Sequence, residues 1–526
     1  MEAIVIKDGM VMDGTGRPAF GADVLVEGDR IAFIGRVDNA VCAPVIEAQG
    51  LAVGPGFIDF HSHADAALLE NGLAQPKVLQ GVTTEVIGNC GFSLVPVTED
   101  SLPQLAAYVA PILGPWPEGL CLENTASYFE LLKKRGIAVN VASYVGHSTV
   151  RLAVMGMANR AATPRELEAM AQKVAQAMEQ GCKGLSSGLL YPPGCYALTQ
   201  ELIYLAKVVR RYGGIYVSHI RNESEGVLEA LAEALTIGQE AQVPVHISHL
   251  KACGPRNWPK IAQALEMFDR AREQGQDVTW DTYPYTAGST TAASLLPPWV
   301  LEEGLTSLPQ RLQNEHLRAA IKQAWREGMP GWDNMVSSLG FDRLVINAVS
   351  QPFNRQFAGH SIAQIAERRG ISPEEALLDL LATEGGHLAM ETYHASEDTL
   401  EAILAHPVTM IGSDGIYSGS LAHPRLYGTF PRVLGRYVRE QKLLTWEQAV
   451  AKMTYLPAQR LNLAGRGCIR EGYFADLVLF DPSHIADAAT FAHPDLPPRG
   501  IKGVIVNGEV TVWEGQITGK KAGRIL

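Results

Sequence analysis

Eight short runs of β-branched and apolar residues, separated by helical stretches, constrain the fold of this chain more than any other feature. They are GFIDFHSH, TTEVIGNC, AVNVASYVGH, GCKGLSSG, GIYVSHI, VPVHISHL, DVTWDTYPY and VTMIGSDG. Strands that alternate with helical patterns predict βαβ units and a parallel sheet. Eight of them make an α/β fold of the closed (β/α)8, TIM-like barrel type available. The intervening segments PRELEAMAQKVAQAMEQ and EGVLEALAEALTIGQEAQ repeat apolar residues every three to four positions, as helices jacketing a barrel do. One connection breaks the rhythm. Between the seventh and eighth strands the chain runs on far longer than a loop and helix need, which predicts an inserted helical segment at about 290–345 over the barrel mouth.

Residues 1–55 read instead as short strands and turns, in AIVIKDGMVMDG and ADVLVEGDRIAFIG, and residues 462–526 resume that style in FADLVLFD, IKGVIVNGE and VTVWEGQ. Neither end alone can bury a sheet face well. The two are therefore expected to pair into a small β-sandwich domain beside a barrel over 56–461, and a chain of 526 residues accommodates both. Lys and Arg number 44 against 56 Asp and Glu, a formal charge of −12 with no basic run, which argues against a nucleic acid or an anionic membrane as partner. No apolar run approaches the ~20 residues of a spanning helix, and MEAIVIKDGMVMDG lacks the segments of a signal peptide, so a cytoplasmic protein is expected. Oligomeric state leaves no signature. Seven cysteines (Cys42, Cys90, Cys121, Cys182, Cys195, Cys253 and Cys468) form no CxxC pair and are expected as reduced thiols.

The chemistry collects at the carboxyl ends of the proposed strands. In GFIDFHSHAD, His61 and His63 share one face, about 6.6–6.8 Å apart along an extended chain, so both imidazoles can lean onto one ion. For an arbitrary HxH the plainer reading is a half-buried strand with two positions turned to solvent. The remaining strands change the balance: Cys90 ends the second, His147 the third, His219 the fifth, His249 the sixth and Asp414 the eighth. In such barrels these ends converge on one mouth, where active sites lie. Imidazole, thiolate and carboxylate together suit zinc. His246, His316, His387 and His406 are assigned nothing.

The motifs PGFIDFHSHAD, TTEVIGNCG, GLSSGLLYPPG, VSHIRNE, HISHLK, DTYPYTAGST, GSDG and HPRLYGTF, in this order, resemble those of the N-acyl-D-amino-acid deacylases (D-aminoacylases) of the amidohydrolase superfamily. The likeness spans nearly the whole chain. GNCG with LYPPG and SHLK is its specific part, because most relatives use a carboxylated lysine on the fourth strand where this branch uses a cysteine on the second. The resemblance implies that Cys90, His219 and His249 hold a tight zinc, that His61 and His63 line a second, weaker metal position, and that Asp414 is a general base that turns general acid. It also implies that Lys251, Tyr191 and Arg425 seat the substrate's carboxylate, with Tyr283 and Ser289 nearby and His147 and His423 as polar contacts at the mouth. Asp65 is expected to orient the first strand end.

The implied reaction is hydrolysis of an N-acyl-D-amino acid to a carboxylate and a free D-amino acid. Selectivity for the D series rests wholly on the resemblance. A D-dipeptidase, a hydantoin- or dihydropyrimidine-type cyclic amidase with the same site, and a catalytically inactive barrel used for binding are the alternatives. An acidic side chain on the substrate would call for an additional arginine or lysine in the pocket, and an apolar one for an aliphatic or aromatic wall; Arg355 in NAVSQPFNRQF is a candidate for the former.

Overall fold

The computed structural model describes residues 3–38, 41–117, 119–120, 122–417 and 421–526, so that Cys121 lies outside the described residues. Each expected run contributes a strand: β1 (Phe57–Asp59), β2 (Val82–Ile87), β3 (Asn140–Ser143), β4 (Gly184–Gly188), β5 (Ile215–His219), β6 (Val245–Ile247), β7 (Val278–Thr282) and β8 (Thr409–Ile411). Their pairings are all parallel. One series runs β1-β2-β3; a second starts at Val145–Gly146, which continues β3 past Tyr144, and passes through β4, β5, β6, β7 and β8. The two series also meet at their ends. Tyr144 N donates to Ile87 O across the break at 2.9 Å, while Ser62 forms a parallel bridge with Gly415 and Asp414 N donates to His61 O at 2.7 Å. This topology is compatible with a barrel. All of β2 is buried, Thr83, Thr84 and Glu85 included, as expected of a parallel strand covered on both faces.

The helical segments follow their apolar spacing. Pro164–Glu179 starts with a capping box between Thr163 and Glu166 and a proline in the first turn, and it buries Met170, Val174, Ala177 and Met178 on one stripe. Val227–Ala241 likewise buries Val227, Leu231, Ala234 and Ile237.

Strands from both chain ends join one nine-stranded sheet, in which Ala52–Pro55 pairs antiparallel with Leu477–Phe480. Its far end turns back on the segment before Leu477: Ile31 N donates to Tyr473 O and Ala475 N to Asp29 O, so that Ile6, Val24, Ile31, Leu477 and Leu479 share one core. The connection between β7 and β8 holds more than the expected helices. Ala287–Thr291, Leu344–Ala348 and Ala389–Tyr393 form a three-stranded antiparallel sheet around helices that include Glu315–Glu327 and Met335–Leu339. The first of these strands, AGSTT, has the small polar residues of a loop; its extended form depends on its partner Ala389–Tyr393. No helix among the described residues is long and apolar enough to cross a membrane.

Candidate metal centre and active site

The candidate ligands lie at or just past the strand ends. His219 closes β5, and Cys90, His249 and Asp414 follow β2, β6 and β8. The strand reading of GFIDFHSH holds only to Asp59; His61 and His63 stand on the extension beyond it, held by Asp414 N to His61 O and by His63 N to Gly415 O at 3.2 Å. Cys90, His249 and Asp414 all take left-handed backbone, with φ of 54°, 36° and 49°. That conformation costs a non-glycine residue about 1–3 kcal/mol and clusters at functional sites, where surrounding structure enforces it. The turn presenting Cys90 is equally constrained. At Gly88, with φ of 76°, a Cβ would come within 2.2 Å of Tyr144 O.

Cys90 stands at the centre of the cluster. Its Sγ lies 3.3 Å from His61 Nε2 and 3.5 Å from His249 Nε2. It belongs to two donor groups, Cys90–His219–His249 and His61–His63–Cys90–Asp414, each with its ligand atoms within 4.8 Å of one another. Asp414 Oδ1 faces both HxH imidazoles, 3.0 Å from His63 Nε2 and 3.4 Å from His61 Nε2. Neither ring nitrogen of His219 has a hydrogen-bond partner, although both are buried.

Burial pushes the Cys90 thiol up, but the His61 and His249 imidazoles outweigh it and hold the group well below the usual thiol range. Asp414 is likewise held well below the carboxylate range, against its burial, by Arg425 and His61. Burial disfavours imidazolium, yet Cys90, Asp281 and Asp414 raise His61 well above its ordinary value. His249 rises to about 9 as Glu223 and Cys90 overcome burial and the Lys251 ammonium. His219 is lowered, by burial above all, and offers a neutral imidazole. Anionic donors crowded among imidazoles that take up protons to balance them mark a place for a cation. Thiolate, neutral imidazole and carboxylate are donors that zinc accepts.

Several residues to which the motifs gave no role support this cluster. Asp281 Oδ2 lies 3.3 Å from His61 Nδ1 and 2.9 Å from His246 Nε2, and its Oδ1 accepts from His249 N at 2.9 Å. His246 thus acquires a place behind the ligands, fixing the carboxylate that orients them. Glu223 Oε1 lies 3.1 Å from His249 Nδ1 and 2.6 Å from Lys251 Nζ, and Lys251 Nζ is itself 2.7 Å from His249 Nδ1. The spacing of His219 and Glu223, four apart after a strand, is the one sequence signal that could have found this acid. Buried Asp65 rises to about 6, chiefly from desolvation, beside His63.

A cavity opens on the cluster, lined by His63, Cys90, His219, His249 and Asp414, and among the expected substrate contacts by Tyr191, Lys251, Tyr283 and Ser289. Tyr191 Oη pairs with Thr290 Oγ1 at 2.8 Å, and Ser289 Oγ accepts from Asn347 Nδ2 at 3.0 Å. Arg425 stands behind the cavity wall, fully buried. Its Nη1 lies 2.9 Å from Asp414 Oδ2, its Nη2 donates to Ser289 O at 3.2 Å, and its guanidinium lies 4.5 Å from the Tyr283 ring centroid. His423 positions it, accepting from Arg425 N at Nδ1 and donating from Nε2 to Ala287 O, both at 3.0 Å. His147 does not reach the cavity: its Nε2 faces Glu201 Oε1 at 2.8 Å, in a buried group completed by Arg151. His147 does follow the strand Val145–Gly146, as the strand-end rule expects, but Glu201 captures its ring. Arg355 is exposed and does not line the cavity.

Residues 44–512 match the model of the amidohydrolase family. The chain is 40% identical to a D-aminoacylase of Alcaligenes xylosoxydans xylosoxydans, over 99% of this chain and 97% of that one. It is 36% identical to an N-acyl-D-aspartate deacylase of the same organism, over 99% and 94% of the two chains. Among solved structures, the N-acyl-D-glutamate deacylase of Bordetella bronchiseptica, complexed with zinc and a phosphonate mimic of the tetrahedral intermediate, superposes with a TM-score of 0.85 at 36% identity over 99% of both chains.

Proposed function

The chain belongs to the amidohydrolase family, in its branch of N-acyl-D-amino-acid deacylases, and from that premise we propose that it hydrolyses the amide bond of N-acyl-D-amino acids with zinc. The observation that carries this reading is Cys90 Sγ, shared between two donor groups, one completed by His219 and His249 and the other by His61, His63 and the carboxylate of Asp414. Cys90, His219 and His249 would hold the tight zinc, and His61 and His63 a weaker second ion. The zinc in the Bordetella relative supports the choice of metal. The pairing and chain order of β1 to β8 support a (β/α)8 barrel over 56–461, and the joint sheet supports a β-sandwich domain from 1–55 and 462–526.

Zinc supplies Lewis-acid polarisation of a carbonyl and acidification of water. The protein's own groups do the rest. Asp414 Oδ1, ionised and facing the HxH pair, takes a proton from the attacking water and returns it to the amide nitrogen, which leaves poorly unless protonated; positioned proton transfer of this kind contributes roughly 10²–10⁴-fold. Lys251 offers an ammonium to the substrate's carboxylate, with Tyr191, Tyr283 and Ser289 as hydrogen-bonding neighbours on the lining. Arg425 steadies Asp414 from behind and reaches the substrate side through the Ser289 carbonyl and the Tyr283 ring.

The test is a panel of N-acetyl-D- and N-acetyl-L-amino acids assayed with and without added zinc, beside metal analysis of the purified protein. Zinc-dependent cleavage of the D series is expected. Faster cleavage of the L series, or no bound zinc and no response to it, would refute the reading.

A further inference from the structure

Resting on the deacylase reading, we infer that the amino acid released carries a neutral, apolar side chain, because the cavity offers an acidic one an aliphatic wall and no second cation. Apart from the ligand cluster and the polar groups already described, the lining consists of Ile112, Leu190, Met335 and Ile416 together with Cys253, Gly288 and Thr392, none of them charged in its side chain as a lysine or arginine is. The four aliphatic residues come from four separate places: the helix Leu102–Leu113, the turn after β4, the inserted helix Met335–Leu339 and the segment after β8. Four independent connections each present an aliphatic side chain to the cavity, which gives the substrate's acyl group and side chain an apolar surface to pack on.

The charge balance points the same way. Among the described residues, Lys251 is the only lysine or arginine on the lining, and its Nζ is committed to Glu223 Oε1 at 2.6 Å. Arg425 is buried behind the wall and paired with Asp414. Arg355 is exposed elsewhere, and none of the residues outside the described set is a lysine or arginine. An N-acyl-D-aspartate or N-acyl-D-glutamate brings two carboxylates to this site. One can meet Lys251; the other loses its water against isoleucine, leucine and methionine, and a carboxylate buried without a partner is costly. A neutral D-residue of the size of leucine or methionine loses nothing there and buries apolar surface, which is favourable.

The experiment is kcat/KM of the zinc-loaded full-length enzyme for the N-acetyl derivatives of D-leucine, D-methionine, D-aspartate and D-glutamate. The neutral pair is expected to exceed the acidic pair by about 10²-fold or more. Cleavage of D-aspartate or D-glutamate derivatives within tenfold of the neutral ones, or faster, would overturn the inference while leaving the deacylase reading intact; no cleavage of any D substrate would remove that reading itself. Met335→Lys provides a second readout by placing a cation on the wall. In the folded variant the acidic-to-neutral ratio is expected to rise about tenfold, and an unchanged ratio would overturn the role given to the wall.

Discussion

Arg425 Nη1 lies 2.9 Å from Asp414 Oδ2, with both residues buried, so the arginine expected to clamp the substrate's carboxylate is paired here with Asp414, the proposed general base. The opposite oxygen of Asp414 faces His61 and His63. One carboxylate is therefore held at one end by a permanent cation and faces the HxH imidazoles at the other.

Arg425→Ala removes the first of these partners. Loss of a buried charge partner leaves the other charge uncompensated, and Asp414 should then titrate higher, since Arg425 helps hold it below the carboxylate range against burial. The acid limb of the kcat/KM profile, which reports ionisation of the base, moves to higher pH. Activity at neutral pH is expected to fall by about 10²-fold or more. A pH-rate profile with an unmoved acid limb would contradict the role given to the pair.

Metal removal separates the two donor groups. Dialysis against a chelator should abolish activity, and stoichiometric zinc should restore it. Cys90→Ala damages both groups at once and should leave less than about half a zinc per chain by metal analysis, whereas His63→Ala should leave the tight zinc in place; conserved metal content in Cys90→Ala would refute the assignment.

Glu223→Gln tests the residue between His249, a proposed metal ligand, and Lys251, proposed to meet the substrate. Glu223 touches Lys251 Nζ and His249 Nδ1. Neutralising it frees Lys251 to turn away and loosens the His249 ring, so zinc affinity should fall by roughly 10–100-fold and KM should rise. Direct measurement of zinc dissociation alongside KM distinguishes this from a purely structural loss, which would lower the fraction of folded protein and leave both constants unchanged.

Glu391 makes a prediction about stability. It lies on Ala389–Tyr393, and burial pushes its carboxyl up to about 8 despite the Arg425 guanidinium. The native state keeps this proton where the unfolded chain has lost it, so stability is present below the ordinary carboxylate range and declines as pH rises towards 8. The slope from one such group is at most about 1.4 kcal/mol per pH unit. Glu391→Gln should flatten it, measured as denaturation midpoints between pH 5 and pH 8.5.

The lay-out of the eight parallel strands was legible because each is short and most are followed by a helical stretch of different period. The candidate donors could be picked out because they all fall at or just past the ends of those strands. What escaped were groups whose partners come from other segments. His246 reads as a lone histidine until Asp281 is placed beside it, and the three-stranded sheet within the insertion is invisible in AGSTT because its order comes from pairing with Ala389–Tyr393. His147 failed in the opposite sense, at a correct strand end with its ring turned to Glu201.

GFIDFHSHAD, GNCG, VSHIRNE, HISHLK and GSDG by themselves determined which donors this protein can bring to a metal, since donor chemistry is a property of the side chain and strand ends converge wherever a parallel barrel forms. Only the tertiary structure decided which oxygen of Asp414 meets Arg425, that Lys251 is tied to Glu223, and that Ile112, Leu190, Met335 and Ile416 come together on one cavity. Those outcomes depend on angles and on distances of a few ångströms between segments as much as 300 positions apart; over such distances electrostatic and packing energies change steeply, and residue spacing along the chain carries no record of them.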